Sequence, residues 1–233
     1  KEKKGADRFD RIDPWLKFDF GNQAPKVPEG KDFQPGEFSI RWSGGLIARE
    51  TGTYEFVIKT RNGAVLQINE SDFDATKTVD AWVSPNNEIR EVRGSIFLQG
   101  GRVYPVRIDF FKYKEDKAYF ELLWKPPHGV EQTIPTHVLT PDRYYESMVV
   151  ETPFPADDRS FGYERGSSVS QEWFDAVTSS AFETADYIAN HLDELARVKK
   201  DDPERAKKIG EFGVAFTSRA FRRPLTEEER VYF

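Results

Sequence analysis

From Phe38 to Lys125 apolar and polar residues alternate in short runs broken by Gly, Asn and Pro. A period of two sends successive side chains to opposite faces, so the segment must form half-buried strands rather than helices. The runs are Phe38 to Ala48, Thr53 to Thr60, Ala64 to Asn69, Thr78 to Val83, Ile89 to Leu98, Val103 to Tyr113 and Ala118 to Lys125. Short antiparallel strands at this spacing predict a β-sandwich. Tyr104, Val106, Ile108 and Phe110 share one face of their strand, and Ala118, Phe120, Leu122 and Trp124 one face of theirs, so these faces are the expected core. Trp42 and Trp15 are expected to pack there too. Asn62-Gly63 predicts a type I′ hairpin, because both residues tolerate positive φ, and Gly100-Gly101 predicts a second turn.

After Pro141 the texture changes. Residues Thr152 to Ser168 are rich in Pro, Gly, Ser and charge and carry no periodicity, so they read as an ordered linker. Ser168 with Gln171 forms a capping-box pattern before a stripe of Phe174, Val177, Ala181, Ala185, Ile188, Leu192 and Leu195, which predicts a helix of about seven turns. Asp202-Pro203 opens a second helix whose stripe is Ala206, Ile209, Phe212, Phe216 and Ala220, and Pro224 ends it. Thr226 with Glu229 opens a third. The predicted fold class is therefore mainly β: a lectin-like antiparallel sandwich over 1–141, a linker over 142–168 and a small, incomplete helical unit over 169–233. Opening at Lys1 and stopping early in that third helix, the chain reads as a piece of a longer protein.

Forty acidic residues against 34 basic ones, mixed along the chain, leave no basic stripe for a phosphate backbone, which argues against nucleic acid. No run of 18 apolar residues is present, so no membrane span is expected. The absence of Cys removes thiolate metal sites and haem attachment from this segment. His128, His137 and His191 stand alone, without partners at ligand spacing. No Gly-x-Ser-x-Gly, P-loop, dinucleotide or His-Glu-x-x-His motif occurs, so no catalytic constellation is expected.

The ordered motifs Arg11-Ile-Asp-Pro14, Phe18-Asp-Phe-Gly21, Phe38-Ser-Ile-Arg-Trp42, Glu50-Thr-Gly-Thr-Tyr-Glu-Phe56, Asn62-Gly63, Tyr104-Pro-Val-Arg-Ile108 and Leu123-Trp-Lys-Pro-Pro127 resemble the protective-antigen lectin-like, or PA-fourteen, family. Later segments, Thr152-Pro-Phe-Pro-Ala-Asp-Asp-Arg159, Gly162-Tyr-Glu-Arg-Gly166 and Ala220-Phe-Arg-Arg-Pro-Leu-Thr226, resemble cytochrome-associated proteins of unknown function from planctomycete-type bacteria. Together they imply a carbohydrate-binding module of an exported multidomain protein, periplasmic or extracellular, with any haem in other parts of the parent. The alternative is a non-catalytic docking module that contacts those other domains.

In sugar-binding members of the family an Asp-Asp pair before the hairpin Gly holds calcium, which chelates sugar hydroxyls. Here that place reads Arg61-Asn62. Calcium needs hard oxygen ligands and a guanidinium offers none, so the resemblance does not carry calcium to this corner. Arg61 and Asn62 can instead donate hydrogen bonds to hydroxyl, carboxylate or sulfate groups, with Trp82 as a stacking platform. The other reading makes Asn62 a turn former and Arg61 a solvated strand end. Asp72, Asp74 and Asp80, with Asn69, supply oxygens for a replacement calcium site or simply form a solvated acidic loop. The candidate ligand-binding set is Arg61, Asn62, Asp72, Asp74, Asp80 and Trp82.

Overall fold

The computed structural model describes residues 9–26, 34–70, 76–155 and 170–232. The chain divides into two compact units, Lys1–Val149 and Val150–Phe233.

The first unit is mainly antiparallel β. Its strands are β1 (Lys17–Gly21), β2 (Glu37–Ala48), β3 (Gly52–Thr60), β4 (Gly63–Ile68), β5 (Val79–Ala81), β6 (Arg90–Leu98), β7 (Arg102–Tyr113), β8 (Ala118–Lys125), β9 (Gln132–Thr133) and β10 (Leu139–Thr140). One five-stranded sheet runs β1-β8-β3-β6 with β9 beside β8, and the other runs β10-β2-β7-β4-β5. The longest ladder joins β2 to β7, from Glu37 opposite Tyr113 to Ala48 opposite Arg102. The alternation fixes which face turns inward. Tyr54, Phe56, Ile58, Phe120, Leu122 and Trp124 from one sheet meet Leu46, Leu66, Ile68, Tyr104, Ile108 and Phe110 from the other, all buried.

Three short strands, β1, β9 and β10, add to the runs read from sequence. Phe18 and Phe20 of β1 extend the aromatic core: Phe18 stacks on Trp42 at 5.3 Å, and Trp42 stacks on Phe120 at 4.9 Å. The Trp42 indole N–H donates to Asp13 at 2.8 Å, which gives its one polar atom a partner. Trp15 departs from expectation: it is 57% exposed, and its neighbour Leu16 enters the core instead.

The Asn62-Gly63 hairpin is a correction. β3 pairs with β6 and β8, whereas β4 pairs with β5 and β7, so the chain crosses from one sheet to the other at this point. Neither Asn62 nor Gly63 has a positive φ among the described residues. Gly63 is needed for space: a Cβ there would sit 2.0 Å from the Phe111 ring and 2.6 Å from the Trp82 carbonyl.

In the second unit α1 (Gln171–Asn190) starts from Ser170, whose hydroxyl accepts from the Trp173 N–H at 3.2 Å. Ser168, the expected cap, lies outside the described residues. The long helix predicted from one stripe is interrupted at His191, after which α2 (Leu192–Leu195) makes a single turn. α3 (Arg205–Phe221) begins after Asp202, whose carboxylate accepts from the Glu204 N–H at 2.8 Å and from Lys208 at 2.6 Å. It ends at Arg222 in the left-handed conformation, φ 53°. α4 (Glu227–Tyr232) carries the expected reciprocal cap, with Thr226 Oγ1 accepting from Glu229 N–H at 3.2 Å and Glu229 accepting from Thr226 N–H at 2.8 Å. No described helix is long and apolar enough to cross a membrane.

Candidate functional site

The loops after β3, β5 and β7 meet at one end of the sandwich. Asn62 lies at their centre, fully buried. Its amide nitrogen donates to Glu115 and to the Lys117 carbonyl (3.1 Å), and its oxygen accepts from the Tyr119 N–H at 3.2 Å. Both amide hydrogens and the amide oxygen are thereby engaged by the fold. Ser84 donates to the other Glu115 oxygen and Asn87 donates to the Lys117 carbonyl at 2.9 Å, so the three loops are cross-braced.

Arg61 is half-buried and donates to the Asn87 carbonyl at 2.8 Å. A residue that sequence reading passed over, Arg90 at the start of β6, is the larger fixture. Its guanidinium donates to the carbonyls of Thr60, Arg61, Asn62, Ala81 and Val83 at 2.7 to 3.4 Å. Burial pulls its pKa down and the Glu115 carboxylate pushes back. Carbonyls that converge in this way suit a cation, and here a side chain of the protein supplies it. A calcium ion at Arg61-Asn62 therefore does not fit: the Asn62 oxygen and the nearby carbonyls already have donors, and Arg90 adds positive charge.

Above this braced corner stands Trp82. Its ring lies 4.5 Å from that of Phe111, whose edge fills the space Gly63 leaves open, and the residue is 39% exposed. Phe111 is half-buried on β7 and faces away from the core, so it acts as a rigid backing for the indole. Asp80, exposed on β5, accepts from the Trp82 N–H at 3.0 Å and from Lys77 at 3.1 Å. Burial raises its pKa, but those two hydrogen bonds outweigh it and hold the carboxyl below its ordinary value. Asp72 and Asp74 lie outside the described residues. Of the predicted set the structure thus brings together Arg61, Asn62, Asp80 and Trp82, and leaves Trp82 and Asp80 facing outward.

Other charged groups form pairs. On the outer face of the first sheet the buried Glu121 accepts from Tyr119 at 2.6 Å, Thr133 at 2.7 Å and Lys17 at 3.1 Å. Burial raises its pKa, and these three bonds reverse the shift and hold it low. Burial and the same hydrogen bond push the Tyr119 phenol up to about 12. No group of three or more His, Cys, Asp or Glu side chains that could hold a metal occurs among the described residues. His191 caps α1, its Nδ1 2.8 Å from the Tyr187 carbonyl.

A sequence profile of the PA14 domain matches residues 17–137, from the first strand through the last turn before β10. The chain belongs to the PA14 domain family. The chain is 29% identical over 134 residues to the anti-sigma-I factor RsgI3 of Acetivibrio thermocellus, a match that covers 58% of this chain and 19% of that protein. The chain spans about a fifth of the length of the curated relative it matches. Among solved structures, an anti-sigma factor domain-containing protein from Clostridium clariflavum is 24% identical over 61% of this chain and 44% of that one, with a TM-score of 0.48. The epithelial adhesin 9 A domain of Candida glabrata, solved with Galβ1-4GlcNAc, is 15% identical over 51% of this chain and 64% of that one, with a TM-score of 0.40. The helical unit lies outside the residues that the PA14 profile covers.

Proposed function

We propose that the PA14 unit is a glycan-binding module that meets polysaccharide at the Trp82 face. The observation that carries the reading is the partly exposed indole seated 4.5 Å from Phe111 on a corner whose loops are fixed by Asn62 and Arg90. A sugar ring offers an apolar C–H face to such a platform, and the Asp80 carboxylate beside it offers an acceptor for hydroxyl groups. Rigid aromatic contact area loses little conformational entropy on binding. Recognition at this corner is calcium-independent in our reading, because Arg90 supplies the positive charge. A glycan ligand carries with it placement outside the cytoplasm, as part of a longer exported protein. The anti-sigma role in the relative's name belongs to a much longer protein and is not carried over to this module.

The closed state of Asn62 also favours a second reading, in which the sandwich docks against other domains of its parent, a redox protein with cytochrome parts on the likeness of its helical segments. Titration calorimetry against neutral, sulfated and uronic polysaccharides, with calcium and with chelator, separates the two. Glycan recognition gives heat that chelator does not abolish, and Trp82→Ala weakens it by about tenfold or more. Absence of heat above dilution with every polysaccharide, together with binding to the sibling domains, would establish docking instead.

A further inference from the structure

We propose a second ligand site, for a single sugar ring, at the opposite end of the PA14 sandwich. β3 runs nine residues from Gly52 to Thr60, and at ~3.3 Å per residue its far end lies roughly 30 Å from the Arg90 corner. There a cleft of about 260 Å³ opens among Arg49, Glu50, Tyr54, Trp124, Gln132 and His137, with Pro126 and Pro135 as apolar walls. Its floor is rigid. The Tyr54 and Trp124 rings lie 5.6 Å apart, and the Tyr54 hydroxyl donates to the Glu50 carbonyl at 2.9 Å while accepting from the Glu50 N–H at 3.1 Å.

Two observations point to a ligand. The indole N–H of Trp124, a residue 5% exposed, finds no acceptor among the described residues. A buried donor left without a partner costs roughly 1–3 kcal/mol, and such groups are rare in folded proteins. Asn62, Thr60, Lys112 and Glu121, the comparable buried polar side chains, all have partners. Secondly, the side chains of Arg49, Glu50, Gln132 and His137 make no hydrogen bond or ion pair among the described residues. Elsewhere on the sandwich several charged groups are paired: Arg41 and Arg107 hold Asp109, Lys59 and Arg93 hold Glu91, and Lys125 holds Glu55. Uncommitted polar groups therefore gather around one aromatic floor.

That combination selects the ligand class. A sugar ring has a C–H face for the Pro126 and Pro135 walls, over the buried Tyr54 and Trp124, and vicinal hydroxyls for a guanidinium, a carboxylate and an amide at once. The cleft is smaller than the roughly 300–1,000 Å³ of drug-sized sites, so it takes one ring and reads a chain end or branch tip. The Trp82 face is open and does not limit chain length. The two sites are independent, and neither proposal rests on the other.

The test follows the tryptophan indole N–H resonances of the isotope-labelled chain while methyl glycosides of glucose, galactose, xylose and glucuronic acid are added singly. Trp124→Phe assigns its resonance, and Trp42, tied to Asp13, reports that the fold is intact. The Trp124 resonance moves saturably with at least one glycoside, Arg49→Ala and Gln132→Ala each weaken that response by about tenfold, and Trp82→Ala leaves it unchanged. Arg49→Gln serves as a milder variant should alanine disturb the Trp42 resonance. The proposal is overturned if the Trp124 resonance stays fixed with all four glycosides, if its shift survives both rim variants undiminished, or if Trp82→Ala abolishes it.

Discussion

Asn62→Asp changes one amide nitrogen to oxygen and almost no volume, and the structure assigns it a large effect. The nitrogen donates to Glu115 and to the Lys117 carbonyl, so the substituted oxygen would face a carboxylate and a carbonyl in a fully buried position. Two charges in contact at an effective dielectric of about 20 repel by roughly 5 kcal/mol, and partial exposure of Glu115 reduces this to about 3–4 kcal/mol. At about 2–4 °C per kcal/mol for a chain of this size, the melting temperature should fall by roughly 10 °C at neutral pH. Burial and Glu115 both raise the pKa of the introduced carboxyl above its unfolded value of about 3.9. The sign follows: the deficit is small below that pH, where the acid is neutral and again has a proton to donate, and it grows as pH rises through the folded value. Asn62→Ala removes both donors without adding charge, so its loss should stay nearly flat with pH. Thermal unfolding by near-UV circular dichroism at neutral and mildly acid pH reads all three proteins. A variant as stable as wild type at neutral pH, or one restored by millimolar calcium, would refute the closed corner.

Gly63→Ala places a methyl group 2.0 Å from the Phe111 ring and should destabilise the sandwich by about 1–3 kcal/mol or more, with a change in Trp82 fluorescence as its backing shifts; unchanged melting would contradict the packing. Tyr119 should titrate near pH 12 rather than 10 by phenolate absorbance. Its raised folded value means that its contribution is complete below pH about 10 and is lost as pH rises through about 12, and Tyr119→Phe should remove that alkaline limb of the stability curve. The Arg223 guanidinium and the Thr226 N–H hold Glu229 down at about 2. The contribution of this cap is therefore present above the ordinary value of 4.5 and is lost only as pH falls through about 2; Arg223→Ala should move that midpoint upward in a titration followed at the Thr226 amide.

Strand identity and facing were legible in the sequence wherever a run was long enough to show its period. The inward residues of β7 and β8 are those the alternation names, because a slip of one position would have exposed Ile108, Phe110 and Phe120 together. β9 and β10, two residues each, have no period to display. β1 did carry a signal, since Phe18 and Phe20 fall two apart, but five residues ending in Gly21 read as a motif rather than as a strand. The corner was misread for a different reason. Asn-Gly is a statement about local dihedrals, whereas the role of Asn62 depends on groups 53 to 57 residues away. Arg90 left no trace either: five carbonyl acceptors come from backbone, which has no identity in a sequence. Trp82 was legible as a candidate stacking platform, and only the fold shows that Phe111 supports it.

The crossing at Asn62 is one of many. β2 to β3, β3 to β4, β5 to β6, β6 to β7 and β7 to β8 all step between the two sheets, and among the described strands only β4 with β5 and β8 with β9 follow one another within a sheet. The polypeptide is laced from layer to layer like a boot through facing eyelets. Neither layer exists as a continuous stretch of chain, so half of the sandwich has no independent template on which to form. Peeling one layer away would require several lacings to give at once, and the unit should hold its end loops in register until it fails as a whole.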